Sequence, residues 1–591
     1  MQSTLVIALW LATLPWIPSL EEAHERSSAV EENLSAMQRQ IDYFHHLFEI
    51  GYAPCHWKEQ QGWKLQAEVE RAHSRLEKEG VPSLKTFQRV LRDLFNSCRD
   101  YHVAIFFYST ESSSLPFQIK GSQGRYFLSY IDPELNRQQP AYLELGDELL
   151  AIDSHPVAEL VEQIKKEELI ESQPLTDEAL ACDLLTQRQA MLGHRVAQGR
   201  VAVKLKKRNG EERVVELDWD YHPEQIYHRQ ELTTQCFAAK EKGMSEGNPR
   251  KICRELFGKQ MMLPMYEAQQ ANRKPSACLE EKGTSLGGRK SYVPLLGSPL
   301  WQSQEDCPFW AYLFLLPNGK TAGYIRLAHY QGGASQLKQF GEIIQFFEQE
   351  SDLLVIDQVD NPGGSPFYLY ALCGMLTDRP LEPLRHRAIL THREAMMAAS
   401  VIPALEKINE DAQAKALLGE YFDGYPVTVQ LAHRFLNYLQ FTLEEWQAGK
   451  RLTSLYYLFG LEKIEPHPKY RYTKPLLILT NRLGFSAADF FAAIMHDSGR
   501  GLLLGERTAG AGGLFAKLEH LNGFGIRSYH LTSSLAERSN GELIEGKGVE
   551  PDVLYEIQPS DLKDGYQKYK QKILSTATQW EKGQLLRREA D

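Results

Sequence analysis

The spacing of apolar and polar residues changes several times along the chain, and each change predicts a different kind of element. Residues 21 to about 110 carry mostly helix-spaced apolar positions. Leu84–Asn96 reads as a helix that hands over, through Cys98-Arg-Asp-Tyr-His102, to a strand-like run at Val103–Tyr108. From about 115 to 222 short alternating runs predict a β-rich unit. It holds a hairpin of Val201–Leu205 and Val214–Asp218 turned near Asn209-Gly210. Residues 230–292 are rich in Lys, Glu, Gln and Gly, show little period, and read as an exposed or weakly folded insertion. Near Leu296 the pattern tightens again. A hairpin of Ala311–Leu316 and Ala322–Leu327 turns at Asn318-Gly319, a helix spans Gln336–Gln349, and a fully apolar strand starts at Leu353. Residues 393–465 read as a helical insertion, and strand and helix alternate on either side of it. That alternation predicts an α/β core with a mostly parallel sheet.

Four places in this pattern carry candidate chemistry. Ser486 follows the apolar run Pro475–Thr480 and a short loop, and it opens an apolar helix at Ala487–Met495; a strand follows at Gly501–Gly505. A serine there sits where helix amides favour developing negative charge, although Ser is also a preferred N-cap. The run Leu353–Asp357 leads through Asn361-Pro to Gly363-Gly364, where paired glycines let backbone amides approach an anion or oxyanion; an ordinary strand-to-helix turn has the same composition. Glu550 is followed by Pro551, which stiffens its backbone, so its carboxylate could orient an imidazole or could be a solvated loop acid. His102 lies at the helix-to-strand handover. Any one of the 18 histidines is more often structural than chemical, yet His suits base chemistry near neutral pH.

Taken together and in order, these segments resemble the tail-specific (C-terminal processing) protease and tricorn-core superfamily, from about Ile41 to Val553. The resemblance rests on Tyr52-Ala-Pro, Asp100-Tyr-His, Gly146–Leu150, Asn361–Ser365, Leu376–Leu381, Phe485-Ser, Ala488–Phe491, Arg507–Gly513 and Gly548–Pro551. It implies a crotonase-like α/β protease core with an N-terminal helical region and a PDZ-like β domain. It also implies a Ser-His-Glu triad on Ser486, His102 and Glu550, with an oxyanion hole from the amides of Gly363 or Gly364 and of Ala487. Many tail-specific proteases use a lysine 25 residues after the serine; here that position is Ala511, so the resemblance points to the triad branch. It implies no cofactor and no metal. The partners it implies are protein or peptide substrates, host proteins among them, and a second copy in a homodimer. It further implies that the segment Thr233–Gly288 is inhibitory and is removed by self-cleavage. Candidate cut points lie around Met261–Leu263 and Ser285–Gly288.

Composition narrows the alternatives. At 591 residues the chain is too long for one compact core, and a net charge of −11 disfavours nonspecific nucleic-acid binding. Leu5–Leu14 is apolar apart from Thr13, too short to span a bilayer, and reads as part of a secretory leader over residues 1–20. The expected division is then a helical region at 21–114, a PDZ-like domain at 115–222, a linker or inhibitory segment at 223–295 and a catalytic domain at 296–591. The eight cysteines are scattered without a C-x-x-C pair, which disfavours a zinc cluster. Two other functions use the same residues: a catalytically silent binding protein, and a hydrolase of nonpeptide esters.

Overall fold

The computed structural model describes residues 20–79, 82–133, 143–225, 248–264, 266, 286–519 and 522–585. The expected leader and much of the segment 226–285 lie outside these residues. The centre of the fold is a seven-stranded sheet. Its strands run in the order Trp301–Gln302, Ala311–Leu315, Thr321–Arg326, Leu353–Asp357, Leu476–Thr480, Gly501–Gly505, Val553–Leu554. The first two pairings are antiparallel and the remaining four are parallel. The near-continuous apolar runs of the middle strands follow from burial on both faces. Leu354, Ile356, Leu476, Ile478 and Leu503 enter one core, while Leu353, Val355, Leu477, Leu479, Leu502 and Leu504 enter another. Helices Ala334–Glu350, Pro366–Gly374 and Ala487–Asp497 contribute to the first core, and Gln567–Glu581 covers the second with Tyr569, Ile573 and Ala577. The region expected to be a helical insertion holds His392–Leu405, Asp411–Leu418 and Val429–Gln447.

The N-terminal helices do not form a separate body. The strand Ala104–Phe107 pairs antiparallel with Ile526–Thr532, Ala104 opposite His530. Phe44, Phe48, Phe95, Tyr529 and Leu531 are buried in one shared cluster. His102, two residues before that strand, is therefore held by the C-terminal part of the chain. The β-rich unit is a sheet of Phe117–Ser122, Arg125–Ile131, Glu148–Ile152, Arg200–Lys206 and Glu212–Asp218. Helices Val157–Glu168 and Pro174–Thr186 pack on it through Val157, Val161, Ala181 and Leu184.

One expectation needs correction. The stretch 248–264 is neither exposed nor weakly folded. Asn248 caps a helix at Pro249–Phe257, accepting from the Arg250 amide at 3.1 Å, and Cys253, Leu256, Phe257 and Met261 are buried. The signal is present in the sequence as Asn-Pro followed by apolar residues at 252, 253, 256 and 257. At nine residues the helix is too short to stand out from its polar surroundings.

Buried imidazoles give this fold a testable pH dependence. His386, on the strand Arg385–Ala388, is 2% exposed, and burial lowers its pKa to about 3. The unfolded chain then binds a proton near pH 6.5 that the folded chain refuses. The neutral group's contribution is complete above pH 6.5 and is lost as the pH falls towards 3. We expect the stability gap between wild type and His386→Phe to shift by about 2 to 3 kcal/mol in the variant's favour between pH 7.5 and 4.5. Urea midpoints at the two pH values measure it, and a gap independent of pH contradicts a buried neutral imidazole.

Candidate active site

Ser486 stands at the start of the helix Ala487–Asp497, after the central strand Leu476–Thr480, and is fully buried. Its backbone has φ 62° and ψ −110°, a left-handed conformation rare for a side chain with a Cβ. Strain of this kind costs of order 1 to 3 kcal/mol and marks positions that the surrounding structure over-determines. The serine makes no side-chain cap for its helix. Its amide instead donates to Asp489 Oδ2 at 2.6 Å, and its Oγ lies 2.6 Å from His102 Nε2. Ser486 and His102, 384 positions apart, are thus in hydrogen-bond contact, and both are fully buried.

Burial dominates the electrostatics of His102. Desolvation lowers its pKa to about 4 against the opposing charge of Asp100. At neutral pH the ring is uncharged and able to accept a proton. Asp100 anchors the backbone around it: Oδ1 accepts the His102 amide at 2.8 Å, while Oδ2 accepts the hydroxyls of Tyr52 at 3.0 Å and Thr532 at 2.6 Å. Phe515 packs 5.7 Å from the imidazole and stacks on His530 at 4.5 Å. His102 Nδ1 has no hydrogen-bond partner among the described residues.

The structure does not bring Glu550 to that nitrogen. Its side chain is 66% exposed and faces Arg507 at 3.6 Å. The proline that stiffens its backbone also leads straight into the edge strand Val553–Leu554, which keeps residue 550 at the surface. Another carboxylate, which the sequence reading missed, lies inside. Glu545 is 1% exposed, accepts from Lys58 Nζ at 2.7 Å and from the Gly512 amide at 3.1 Å, and belongs to the same buried group as Asp100. Burial and the charge of Asp100 push its carboxyl up to about 8, with Lys58 opposing. In the sequence it is one acid in a turn-rich stretch, and only its neighbour Ile544 hints at burial.

Gly363 and Gly364 lie beside the serine, and a side chain fits at neither. A Cβ on Gly363, at φ 99°, would meet Met261 O at 2.2 Å and Ser486 Cβ at 3.0 Å; one on Gly364 would meet Tyr330 O at 2.1 Å. The Gly363 amide is already engaged by Asn361 Oδ1 at 2.9 Å. Ala487, the third expected oxyanion residue, is buried in the first helical turn after Ser486. Ala511, where a lysine would stand in a Ser-Lys enzyme, shares a carboxylate with the serine: its amide donates to Asp489 Oδ2 at 3.1 Å. No lysine base occupies that place.

The site is covered. Gln260 O accepts from the Phe515 amide at 3.3 Å, and the strand Met261–Met262 pairs antiparallel with Gly364 and Gly363. Leu263 N donates to Pro362 O at 2.8 Å, and Gly287 N to Asp360 O at 2.8 Å. The helix Pro249–Phe257 pins this cover, with Phe257 stacked on Phe435 at 3.8 Å. A segment of the stretch expected to be inhibitory therefore lies along the glycine pair beside Ser486.

Comparison with known proteins agrees with this arrangement. Residues 321–555 match the profile of peptidase family S41, and residues 111–226 that of a PDZ domain. A Chlamydia muridarum protein without an assigned activity is 34% identical over 565 residues, 92% of each chain. The carboxy-terminal processing protease CtpA of Bacillus subtilis is 33% identical over 110 residues, 18% of this chain. Fold, site and similarity define a serine peptidase with a PDZ domain, and the chain belongs to peptidase family S41. Within that family it groups with the chlamydial protease-like activity factor. The mature form of that protein, solved in complex with lactacystin, is 30% identical and superimposes with a TM-score of 0.78 over 93% of this chain and 99% of its own.

The cover yields a prediction. Phe257→Ala removes a fully buried ring and costs the packing of the covering helix about 3 to 5 kcal/mol. Limited proteolysis of the Ser486→Ala background should then cut the 248–264 stretch many times faster than in Ser486→Ala alone. Equal rates would show that the cover does not depend on this contact.

Proposed function

We propose that the chain is a serine endopeptidase in which Ser486 attacks and His102 is the base, with Glu545 in place of Glu550 as the acid serving the imidazole. The observation that carries this reading is the 2.6 Å contact between Ser486 Oγ and a neutral, buried His102 Nε2. A serine hydroxyl becomes nucleophilic near pH 7 only with such a base beside it. His102 takes the hydroxyl proton as Ser486 attacks the scissile carbonyl. It returns that proton to the leaving amine as the acyl-enzyme forms, then activates the water that hydrolyses the ester. The backbone amides of Gly364 and Ala487 serve the oxyanion. Glu545 suits the third role because, among the described residues, its Oε2 accepts only from the Gly512 amide. That amide is one residue from Ala511, which is tied to the same carboxylate as Ser486. A buried carboxylate on Nδ1 fixes the tautomer and stabilises the imidazolium as it forms.

The covering strand supports a precursor that matures by removing its own cover. Met261–Met262 takes up the pairing of the glycine turn, so a substrate strand can add there only once the cover has left. We propose that excision of residues within 226–288 opens the site, that a second copy promotes it, and that the apolar run Leu5–Leu14 exports the chain. Among the described residues no helix is long and apolar enough to cross a membrane.

Two measurements test this reading. Purified wild type should convert from one chain to two fragments, at a rate that rises with protein concentration, while Ser486→Ala stays intact. Peptide hydrolysis by matured protein should fall on the order of 10³-fold in Glu545→Gln. It should change less than about 2-fold in Glu550→Gln, whose ion pair with Arg507 is at the surface. Ala511→Lys should not raise turnover. A large loss in Glu550→Gln with Glu545→Gln unaffected would reverse the assignment of the acid.

A further inference from the structure

The loop that follows the strand Gly501–Gly505 does more than lack a lysine. Three consecutive amides in it bind two buried carboxylates. Gly510 N donates to Asp489 Oδ1 at 2.9 Å and Ala511 N to Asp489 Oδ2 at 3.1 Å; Gly512 N donates to Glu545 Oε2 at 3.1 Å. The acid's own loop returns the contact, since Gly546 N donates to Gly510 O at 2.8 Å. Asp489 Oδ2 also accepts the amide of Ser486 at 2.6 Å, the shortest of these bonds and the one next to the strained φ of the nucleophile. Asp489 is fully buried, and the Thr508 hydroxyl supplies a further hydrogen bond. One carboxylate therefore joins the turn that carries Ser486 to the strap that carries the acid's partner amide.

We infer that Asp489 is a positioning residue for the peptidase reaction: it holds the Ser486 turn in its strained conformation and, through the Gly510–Gly512 strap, sets Glu545 against His102. The physical reason is the acceptor count. Burial raises the Asp489 carboxyl to about 7, but all four neighbours are donors and favour the carboxylate against it. That carboxylate can accept all four hydrogen bonds, whereas an amide of the same shape offers one oxygen and turns donors towards the others. Such a mismatch inside the core leaves an amide unpaired and lets the turn relax away from its left-handed φ. A serine displaced by about 1 Å from its base and its oxyanion donors loses turnover about 100-fold. The loss falls on turnover, because Asp489 is enclosed below the nucleophile and the covering strand that occupies the groove touches the glycine pair instead.

The inference rests on the proposed Ser486–His102–Glu545 reading, and the experiment separates the two. Hydrolysis of a fluorogenic peptide is measured for matured wild type, Asp489→Asn, Glu545→Gln and the double variant, together with the rate of fluorophosphonate labelling of Ser486. Asp489→Asn should lower kcat and the labelling rate by the same factor, about 100-fold, with KM within about 2-fold. Because both acids act through one strap, the double variant should be little worse than Glu545→Gln alone. Wild-type kcat in Asp489→Asn would overturn the inference, and so would a loss that simply multiplies with that of Glu545→Gln. If wild type itself shows neither hydrolysis nor labelling, the peptidase reading fails first. If Asp489→Asn does not fold, Thr508→Val takes its place, since it removes the hydroxyl's bond to the same carboxylate, along with the one it accepts from the Val549 amide at 2.8 Å, and leaves the three amides. A kcat unchanged in Thr508→Val would then overturn the inference.

Discussion

The structure is organised around one contact, the hydrogen bond between His102 and Ser486. Neither residue could make it within its own part of the chain. Ser486 is presented by the central sheet, at the point where a fully buried strand turns into a helix. His102 arrives from the N-terminal helices, which share a core with the strand Ile526–Thr532. Folding of the whole chain is thus the condition for bringing the proposed base to Ser486. The same requirement explains the density of buried polar groups nearby, where Asp100, Tyr52, Thr532, Lys58 and Glu545 satisfy one another. Removing one member of such a network leaves its neighbours uncompensated in a low dielectric, which is far more costly than the loss of a surface pair.

Burial works on this site in two directions. It keeps His102 neutral, and it raises the carboxyls of Glu545 and Asp489, an effect opposed by Lys58 and the Gly512 amide at Glu545 and by the surrounding amides at Asp489. It also closes the groove, because the strand Met261–Met262 takes the backbone pairing of the glycine turn. Departure of the cover would readmit solvent to this region and change the environment of every ionisable group in it.

Much of the fold was legible in the sequence because its signals are strong and local. Runs such as Leu476–Thr480 and Gly501–Gly505 have one physical reading once helices flank them, and Asn-Gly turns mark both hairpins. Ser486 and His102 were legible through their places at element boundaries. The proposed acid was not. The choice of Glu550 followed backbone stiffness and a short motif at Gly548–Pro551, both local, whereas the proposed role depends on burial, which long-range packing decides. Glu545 is buried because Lys58, 487 positions away, and the Gly512 amide meet it there. The cover was misread for a related reason. A nine-residue helix and a two-residue strand have too little period to rise above a polar background, and their order comes from the surface they dock on.

The central claim is that a covered serine, activated by a histidine 384 positions away, is the nucleophile. Fluorophosphonate labelling followed by mass spectrometry tests it most directly, on intact protein and on protein cut within residues 226–288. The account predicts a single adduct on Ser486 that forms slowly on the intact chain and rapidly after cutting, and that is slowed by orders of magnitude in His102→Ala. An adduct on another residue, or one on Ser486 whose rate is indifferent to His102, would contradict it.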